Sequence, residues 1–201
     1  MKIICIGRNY KDHAKEMGSV IPKFPIIFLK PDSAILPKRN PFYLPDFSKE
    51  IHYEVELVYK INKVGKSIEK KFSKNYYHEI GLGIDFTARD LQKNCKENGH
   101  PWEIAKSFDQ SAVVGEKFID VNSLGSVNFS LQKNNKVVQK GNANQMIFSI
   151  DEIISYVSKF MTLKIGDLIF SGTPSGVGPV KIGDELKGFI ENQEIFKVKI
   201  K

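Results

Sequence analysis

Ile51-His52-Tyr53-Glu54-Val55-Glu56-Leu57-Val58-Tyr59 places apolar or aromatic residues at every odd position and His52, Glu54 and Glu56 at even ones. A period of two is the mark of a β-strand whose odd residues pack inward, so the three ionisable side chains share the opposite face. Outward from this strand the chain continues as short β-rich segments bounded by turn residues: 2–6, 25–30, 81–86, 127–133 paired with 136–140 across Asn134-Asn135, 168–171, and a closing hairpin of 185–190 with 194–200. Helices are fewer. Residues 9–17 form a short candidate, and Thr87-x-x-Asp90 opens a second that stops near Gly99-His100-Pro101. The clearest starts at the capping box Ser149-x-x-Glu152, after which Ile150, Ile153, Ile154, Val157, Phe160 and Met161 recur at helical spacing as core positions. The expectation is an α+β, mostly β chain, organised as a single domain over residues 1–201, since no repeat, low-complexity segment or linker divides it.

Composition narrows the function classes. With 41% apolar and 26% charged residues and no apolar run near the ~18 needed to span a bilayer, a membrane protein is not expected. The first residues carry one positive charge and too short an apolar stretch for a secretory signal, so a cytoplasmic placement is expected. Cys5 and Cys95 lie far apart, which points to neither a thiolate metal site nor a disulfide framework. The net charge of +7 invites a nucleic-acid partner, but the 30 cationic residues are 27 Lys and three Arg scattered along the chain, and Lys lacks the guanidinium fork that reads bases and phosphates. No nucleic-acid partner is expected; a non-catalytic basic binding domain is the remote alternative. The Gly-rich run Ser171-Gly172-Thr173-Pro174-Ser175-Gly176-Val177-Gly178 lacks a P-loop ending, Gly81-x-Gly83 lacks the third glycine of a dinucleotide fingerprint, and no G-x-S-x-G elbow occurs.

Several residues carry possible chemistry. Glu54 and Glu56 on one strand face either meet solvent or hold a hard divalent cation such as Mg²⁺ between them. Asp85, inside Gly81-Leu82-Gly83-Ile84-Asp85-Phe86, is either a local cap before the Thr87 helix or a third acid seeking a cation. His13 and Glu16, three apart, share a helical face, where a carboxylate orients an imidazole for general-base work or the pair is simply part of an exposed polar turn. Lys106 stands beside the only Trp, as a buried ammonium for an anionic substrate or an aliphatic stem with its head in water.

Taken in order, Gly7-Arg8-Asn9-Tyr10-x-x-His13-x-x-Glu16, His52-x-Glu54-x-Glu56-Leu57, Gly83-x-Asp85-x-Thr87-Ala88-Arg89-Asp90-x-Gln92, Ala105-Lys106-Ser107-Phe108 and Ser171-Gly172-Thr173-Pro174-x-Gly176-Val177-Gly178 resemble the fumarylacetoacetate hydrolase family. The likeness is greatest to its short members related to acylpyruvate hydrolases and oxaloacetate decarboxylases. The resemblance implies a mixed β-roll catalytic fold, a homodimer, and Mg²⁺ or Mn²⁺ held by Glu54, Glu56 and Asp85. It implies also a His13–Glu16 dyad on a mobile lid, substrate contacts from Lys106 and Gln92, and Thr173 in a substrate-binding loop. Arg8 and Arg89 fall in the same motifs, as structural residues or substrate contacts. The activity implied is hydrolysis of the C–C bond of acylpyruvate-type 2,4-dioxo acids through a metal-stabilised pyruvate enolate; oxaloacetate decarboxylation or 2-oxo-dienoate isomerisation on the same site are the alternatives. The partner expected in each case is a small 2-oxo acid.

Overall fold

The computed structural model describes residues 1–18 and 20–201. Its strands are β1 (Ile3–Gly7), β2 (Ile26–Lys30), β3 (Ile51–Tyr53), β4 (Val55–Ile61), β5 (Tyr77–Asp85), β6 (Thr87–Ala88), β7 (Ala112–Val114), β8 (Ile119–Asp120), β9 (Asn128–Lys133), β10 (Lys136–Asn142), β11 (Leu168–Phe170), β12 (Gly178–Pro179), β13 (Glu185–Ile190) and β14 (Gln193–Lys199). The helices are α1 (Lys11–Glu16), α2 (Arg89–Asn98), α3 (Glu103–Lys106) and α4 (Ile150–Phe160). The α+β, mostly β expectation holds. The main sheet runs β2-β1-β11-β4-β5-β7, with β8 also on β5, and it is mixed because β1 lies parallel to β11 while its other pairs are antiparallel. A second sheet, β10-β9-β13-β14, packs through β13 and β14 against β5, and a small third one joins β12, β3 and β6.

The strand expected over residues 51–59 is broken at Glu54, and the break places the site. β3 pairs with β6 and β12, whereas β4 pairs with β5 and β11. The Val55 amide, which a continuous strand would spend on a neighbouring strand, donates to Gln139 Oε1 at 2.9 Å. Two consequences correct the alternation reading. His52 leaves the acidic face and pairs with Glu50 at 2.8 Å. Glu54 and Glu56 are not on a solvent-facing side but are 5% and 2% exposed, because the chain covers both faces of β4.

Elsewhere local signals and structure agree. Asn134 and Asn135 both adopt positive φ (52° and 64°), as a two-residue hairpin turn requires. Both halves of the Ser149–Glu152 capping box form, and Ile150, Ile153, Ile154 and Val157 are buried. Phe160, expected in the core, is instead exposed in the last turn of α4, its ring edge-on to Tyr156. Thr87 does not start α2; with Ala88 it forms β6, and α2 begins at Arg89 and ends on left-handed Gly99.

The Gly81-x-Gly83 pair is explained by packing rather than nucleotide binding. Gly83 lies opposite Glu56 in the β4–β5 ladder, and a Cβ there would stand 2.4 Å from the Val113 carbonyl and 2.8 Å from the Phe170 ring. Gly83→Ala is therefore expected to destabilise the fold by about 1–3 kcal/mol through overpacking, read as a lower urea midpoint at unchanged slope.

Candidate active site

Glu54 at the strand break, Glu56 on β4 and Asp85 at the end of β5 converge because these segments are paired; the Asp85 amide donates to the Glu54 carbonyl at 2.9 Å. One oxygen from each carboxylate lies within 4.8 Å of the others, and all three residues are buried. The alternative of Asp85 as a cap for α2 falls away, since α2 has no side-chain cap and Asp85 faces buried cations.

Three cations surround the acids. Lys106, 2% exposed at the end of α3, spends all three protons on Glu54 Oε2 (2.9 Å), Asp85 Oδ2 (2.6 Å) and Thr87 Oγ1 (2.6 Å). Its head is not in water. Arg89 donates to Glu54 Oε1 at 2.5 Å and to Gln92 Oε1 at 2.6 Å. Lys30, 1% exposed at the end of β2, lies 2.8 Å from Asp85 Oδ1 and donates to the Lys106 carbonyl and to Ser111 Oγ (2.8 Å). Burial opposes the charged form of Glu54, but Lys106 and then Arg89 outweigh it and hold the carboxyl well below its ordinary range. For Lys106, burial works against the ammonium, and Asp85 and Glu54 overcome it and raise its pKa.

Glu56 is the exception among the acids. Among the described residues no lysine, arginine or histidine pairs with it; its partner is the Gly172 amide, which donates to Oε2 at 2.7 Å. Burial, then the charges of Asp85 and Glu54, push its carboxyl well above the ordinary value. Gly172 can approach this closely only as glycine: its φ is +99°, and a Cβ would meet Asn9 Cβ at 2.7 Å. Three converging hard oxygen donors, one of them without a cation, match what Mg²⁺ or Mn²⁺ takes, and the cluster contains no thiolate or imidazole that would favour a softer metal. The residues fit such an ion.

His13 and Glu16 both lie on α1, with His13 Nδ1 and Glu16 Oε2 3.2 Å apart and His13 buried. The Gly176 amide donates to Glu16 Oε1 at 3.0 Å, tying α1 to the Gly-rich loop. Thr173, in that loop, is buried and accepts from Gln139 Nε2 at 2.8 Å. His13, Glu54, Glu56, Asp85, Gln92, Lys106 and Thr173 all line one narrow cleft of about 30 Å³, and Glu16 stands behind His13. That volume is room for one or two waters or an ion, not for an organic acid. A wider groove of about 490 Å³ runs between residues 37–41 and β14, but its acids are only Glu116 and Glu194, with no histidine, so size does not select the reactive site.

Sequence reasoning missed three contributors. Lys30 looks like any of 27 lysines until β2 docks. Asn9, fully buried, donates to the carbonyls of Phe148 (3.0 Å) and Ser171 (2.7 Å) and accepts from the Phe148 amide (2.8 Å), tying β1 to the Gly-rich loop. Lys96 joins Arg8 and Arg89 on the cleft wall.

A mixed β-roll with a buried triad of acids, a His–Glu pair and a buried lysine is the architecture that the motifs anticipated, and the chain belongs to the fumarylacetoacetate hydrolase family, whose C-terminal domain model matches residues 2–201. Among curated relatives, the mouse mitochondrial oxaloacetate tautomerase FAHD1 is 43% identical over 99% of this chain and 91% of its own length. The mitochondrial oxaloacetate decarboxylase of Dictyostelium discoideum is 43% identical over 92% of this chain and 87% of its own. Among solved structures, fumarylpyruvate hydrolase from Pseudomonas aeruginosa, in complex with Mn²⁺ and pyruvate, superposes with a TM-score of 0.93 at 36% identity, covering 100% of this chain and 89% of that one. Among the described residues no helix is long and apolar enough to cross a membrane.

Proposed function

We propose that the chain is a divalent-metal-dependent enzyme that forms and consumes the enolate of a small 2-oxo acid. The observation that carries this reading is a buried carboxylate, Glu56, left without a cation between two other acids and in the same cleft as a His–Glu pair. Glu54, Glu56 and Asp85 would hold the ion, which when bound supplies Lewis-acid stabilisation of charge developing on the oxygens of a 2-oxo acid.

The chain's own residues do the rest. Glu16, accepting from His13 Nδ1–H, fixes the imidazole tautomer and leaves the Nε2 lone pair to take a proton. In keto–enol interconversion that proton comes from C3 of the 2-oxo acid and is returned to oxygen or carbon. In decarboxylation the C3–C4 bond breaks, carbon dioxide leaves, the electron pair passes toward the 2-oxo oxygen, and a proton is delivered to C3. In hydrolysis the proton comes from the water that attacks the distal carbonyl. Gln92 lines the cleft as a contact for substrate oxygens, Lys106 would reach one by exchanging one of its three present hydrogen bonds, and Phe28 and Trp102 wall the cleft against water. Because the cleft holds no more than a water or two, entry of substrate requires α1 to lift from the Gly-rich loop, a lid motion that breaks the Glu16–Gly176 contact.

Oxaloacetate interconversion or decarboxylation leads, on the strength of two relatives so named that match nearly the whole chain. Acylpyruvate hydrolysis, placed first by the motifs alone, is the second reading and is favoured by the likeness to fumarylpyruvate hydrolase. The same reading takes the acting unit as a homodimer in the cytoplasm, although both relatives carry a mitochondrial name; sedimentation and cell fractionation check those two points.

Thermal melting tests the binding half of the proposal. Mg²⁺ is expected to raise Tm, and oxalate, a mimic of the pyruvate enolate, to add about 5–10 °C at a hundredfold excess over its Kd only when Mg²⁺ is present. An oxalate effect of equal size without Mg²⁺, or no effect of either, contradicts it.

A further inference from the structure

Gln139 belongs to β10 of the second sheet, is 2% exposed, and spends its side-chain hydrogen bonds entirely outside that sheet. Oε1 accepts from the Val55 amide at 2.9 Å, and Nε2 donates to Thr173 Oγ1 at 2.8 Å and to the Pro174 carbonyl at 2.9 Å. One side-chain amide therefore joins the strand break between Glu54 and Glu56 to the Gly-rich loop. The backbone supplies the aim. Val137 pairs with Gln132 and Gln139 with Leu131, so Val138 is an extra residue in β10, a bulge of the kind that re-aims a side chain beside a site. The loop is fitted to the same bulge, since a Cβ on Gly176 (φ +96°) would stand 2.3 Å from the Val138 carbonyl.

The direction of each bond is fixed. The Val55 N–H can only donate and the Pro174 carbonyl can only accept, so the Gln139 amide has one orientation and both of its Nε2 protons are used. Thr173 Oγ1 is thereby an acceptor toward Gln139. Among the described residues its own proton has only the Pro174 carbonyl at 3.5 Å, a long contact to an oxygen that Gln139 already fills. Thr173 lines the cleft of the acid triad, whereas Gln139 does not. We infer that Gln139 is a positioning residue: by donating to Thr173 it leaves the hydroxyl proton for the cleft, where it is given to an oxygen of the 2-oxo acid held at the metal. A carboxylate or 2-oxo oxygen only accepts, so a hydroxyl whose proton had turned inward would face it with a lone pair. The inference rests on the enolate reading above, which seats the 2-oxo acid beside the triad.

A double-mutant cycle tests this, read by calorimetric titration of oxalate into Mg²⁺-loaded protein and of Mg²⁺ into stripped protein. Gln139→Met and Thr173→Val are each expected to weaken oxalate about tenfold or more, the usual worth of a hydrogen bond to a charged group, while the Mg²⁺ Kd stays within about twofold of wild type. Combined, they should bind oxalate within about threefold of the weaker single variant, because the second change removes a bond that the first has already lost. Thr173→Ser, which keeps the hydroxyl, should stay within about threefold of wild type. Because Gln139→Met leaves the Val55 amide unpaired and can unfold the chain, Gln139→Glu runs the same cycle: it keeps an acceptor for Val55 and offers Thr173 an acceptor in place of the donor. Its loss of oxalate affinity should shrink to below about threefold in the Thr173→Val background. Independent losses that multiply in the double variants, wild-type oxalate affinity in either single change, or a fall in Mg²⁺ affinity as large as that in oxalate affinity overturn the inference and leave Gln139 a purely structural tie. Absence of Mg²⁺-dependent oxalate binding in the wild type overturns the enolate reading and this inference with it.

Discussion

Glu56→Gln is expected to make the metal-free protein more heat-stable at neutral pH and to lower Mg²⁺ affinity by about a hundredfold or more, the two effects having one cause. In the folded chain the Glu56 carboxyl is pushed up by burial and by Asp85 and Glu54, so it holds a proton, or bears an unmatched charge, at a pH where the unfolded chain has lost that proton. The sign follows from linkage: a raised carboxyl favours the fold below the unfolded value near 4.3, and that contribution is lost as pH rises through the folded value. Metal-free protein should therefore lose stability with rising pH over this window, and glutamine, which resembles the protonated acid and can still accept from the Gly172 amide, removes the loss. A cation must displace the same proton, so wild-type Mg²⁺ affinity should rise with pH by about tenfold per unit until the folded value is passed. Melting curves and Mg²⁺ titrations across pH check both slopes. Parallel curves for wild type and Glu56→Gln contradict the account.

His13→Ala carries the second large effect, a loss of about 10² or more in oxaloacetate keto–enol interconversion and in acylpyruvate hydrolysis, the usual worth of a positioned base. Decarboxylation should fall by a smaller factor, because carbon dioxide leaves without a proton being removed first and water can protonate C3. Glu16→Gln acts in the same direction for two reasons, losing the charge that orients His13 and weakening the tie to the Gly176 amide. Assays of the three reactions on each variant separate the roles. Equal losses in all three remove the division between proton transfer and bond cleavage, and no loss in any returns His13 to a structural part.

The acid triad was legible in part: Glu54 and Glu56 recur at strand spacing and Asp85 stands in an apolar segment, each with an ordinary local reading beside the metal one, and the ordered motifs decided between them. Alternation misled over His52, because the break at Glu54 depends on Gln139, a residue 84 positions away that takes the Val55 amide. Lys30 was invisible for the same kind of reason: its partners Asp85, Lys106 and Ser111 come from distant strands and a helix end, and no local pattern marks one lysine among 27 as buried. Helix α4 was legible almost to its last residue because its capping box and its apolar stripe are both local; Phe160 escaped only because the helix outruns the surface it packs on. Lys30→Met tests how much the unseen contacts matter. Removing one partner from a buried ion pair is expected to cost about 3–5 kcal/mol in metal-free protein, seen as a lower denaturant midpoint, whereas an exposed lysine such as Lys199 should cost almost nothing.

The most direct test of the central claim is oxaloacetate turnover, tautomerisation and decarboxylation followed separately, in protein stripped with a chelator and then titrated with Mg²⁺ or Mn²⁺. Activity above the rate of the free ions is expected to vanish on stripping, to return as the ion is restored, and not to return in Asp85→Asn. Full activity in the stripped sample, or restoration in Asp85→Asn equal to wild type, contradicts a divalent ion held by these three acids.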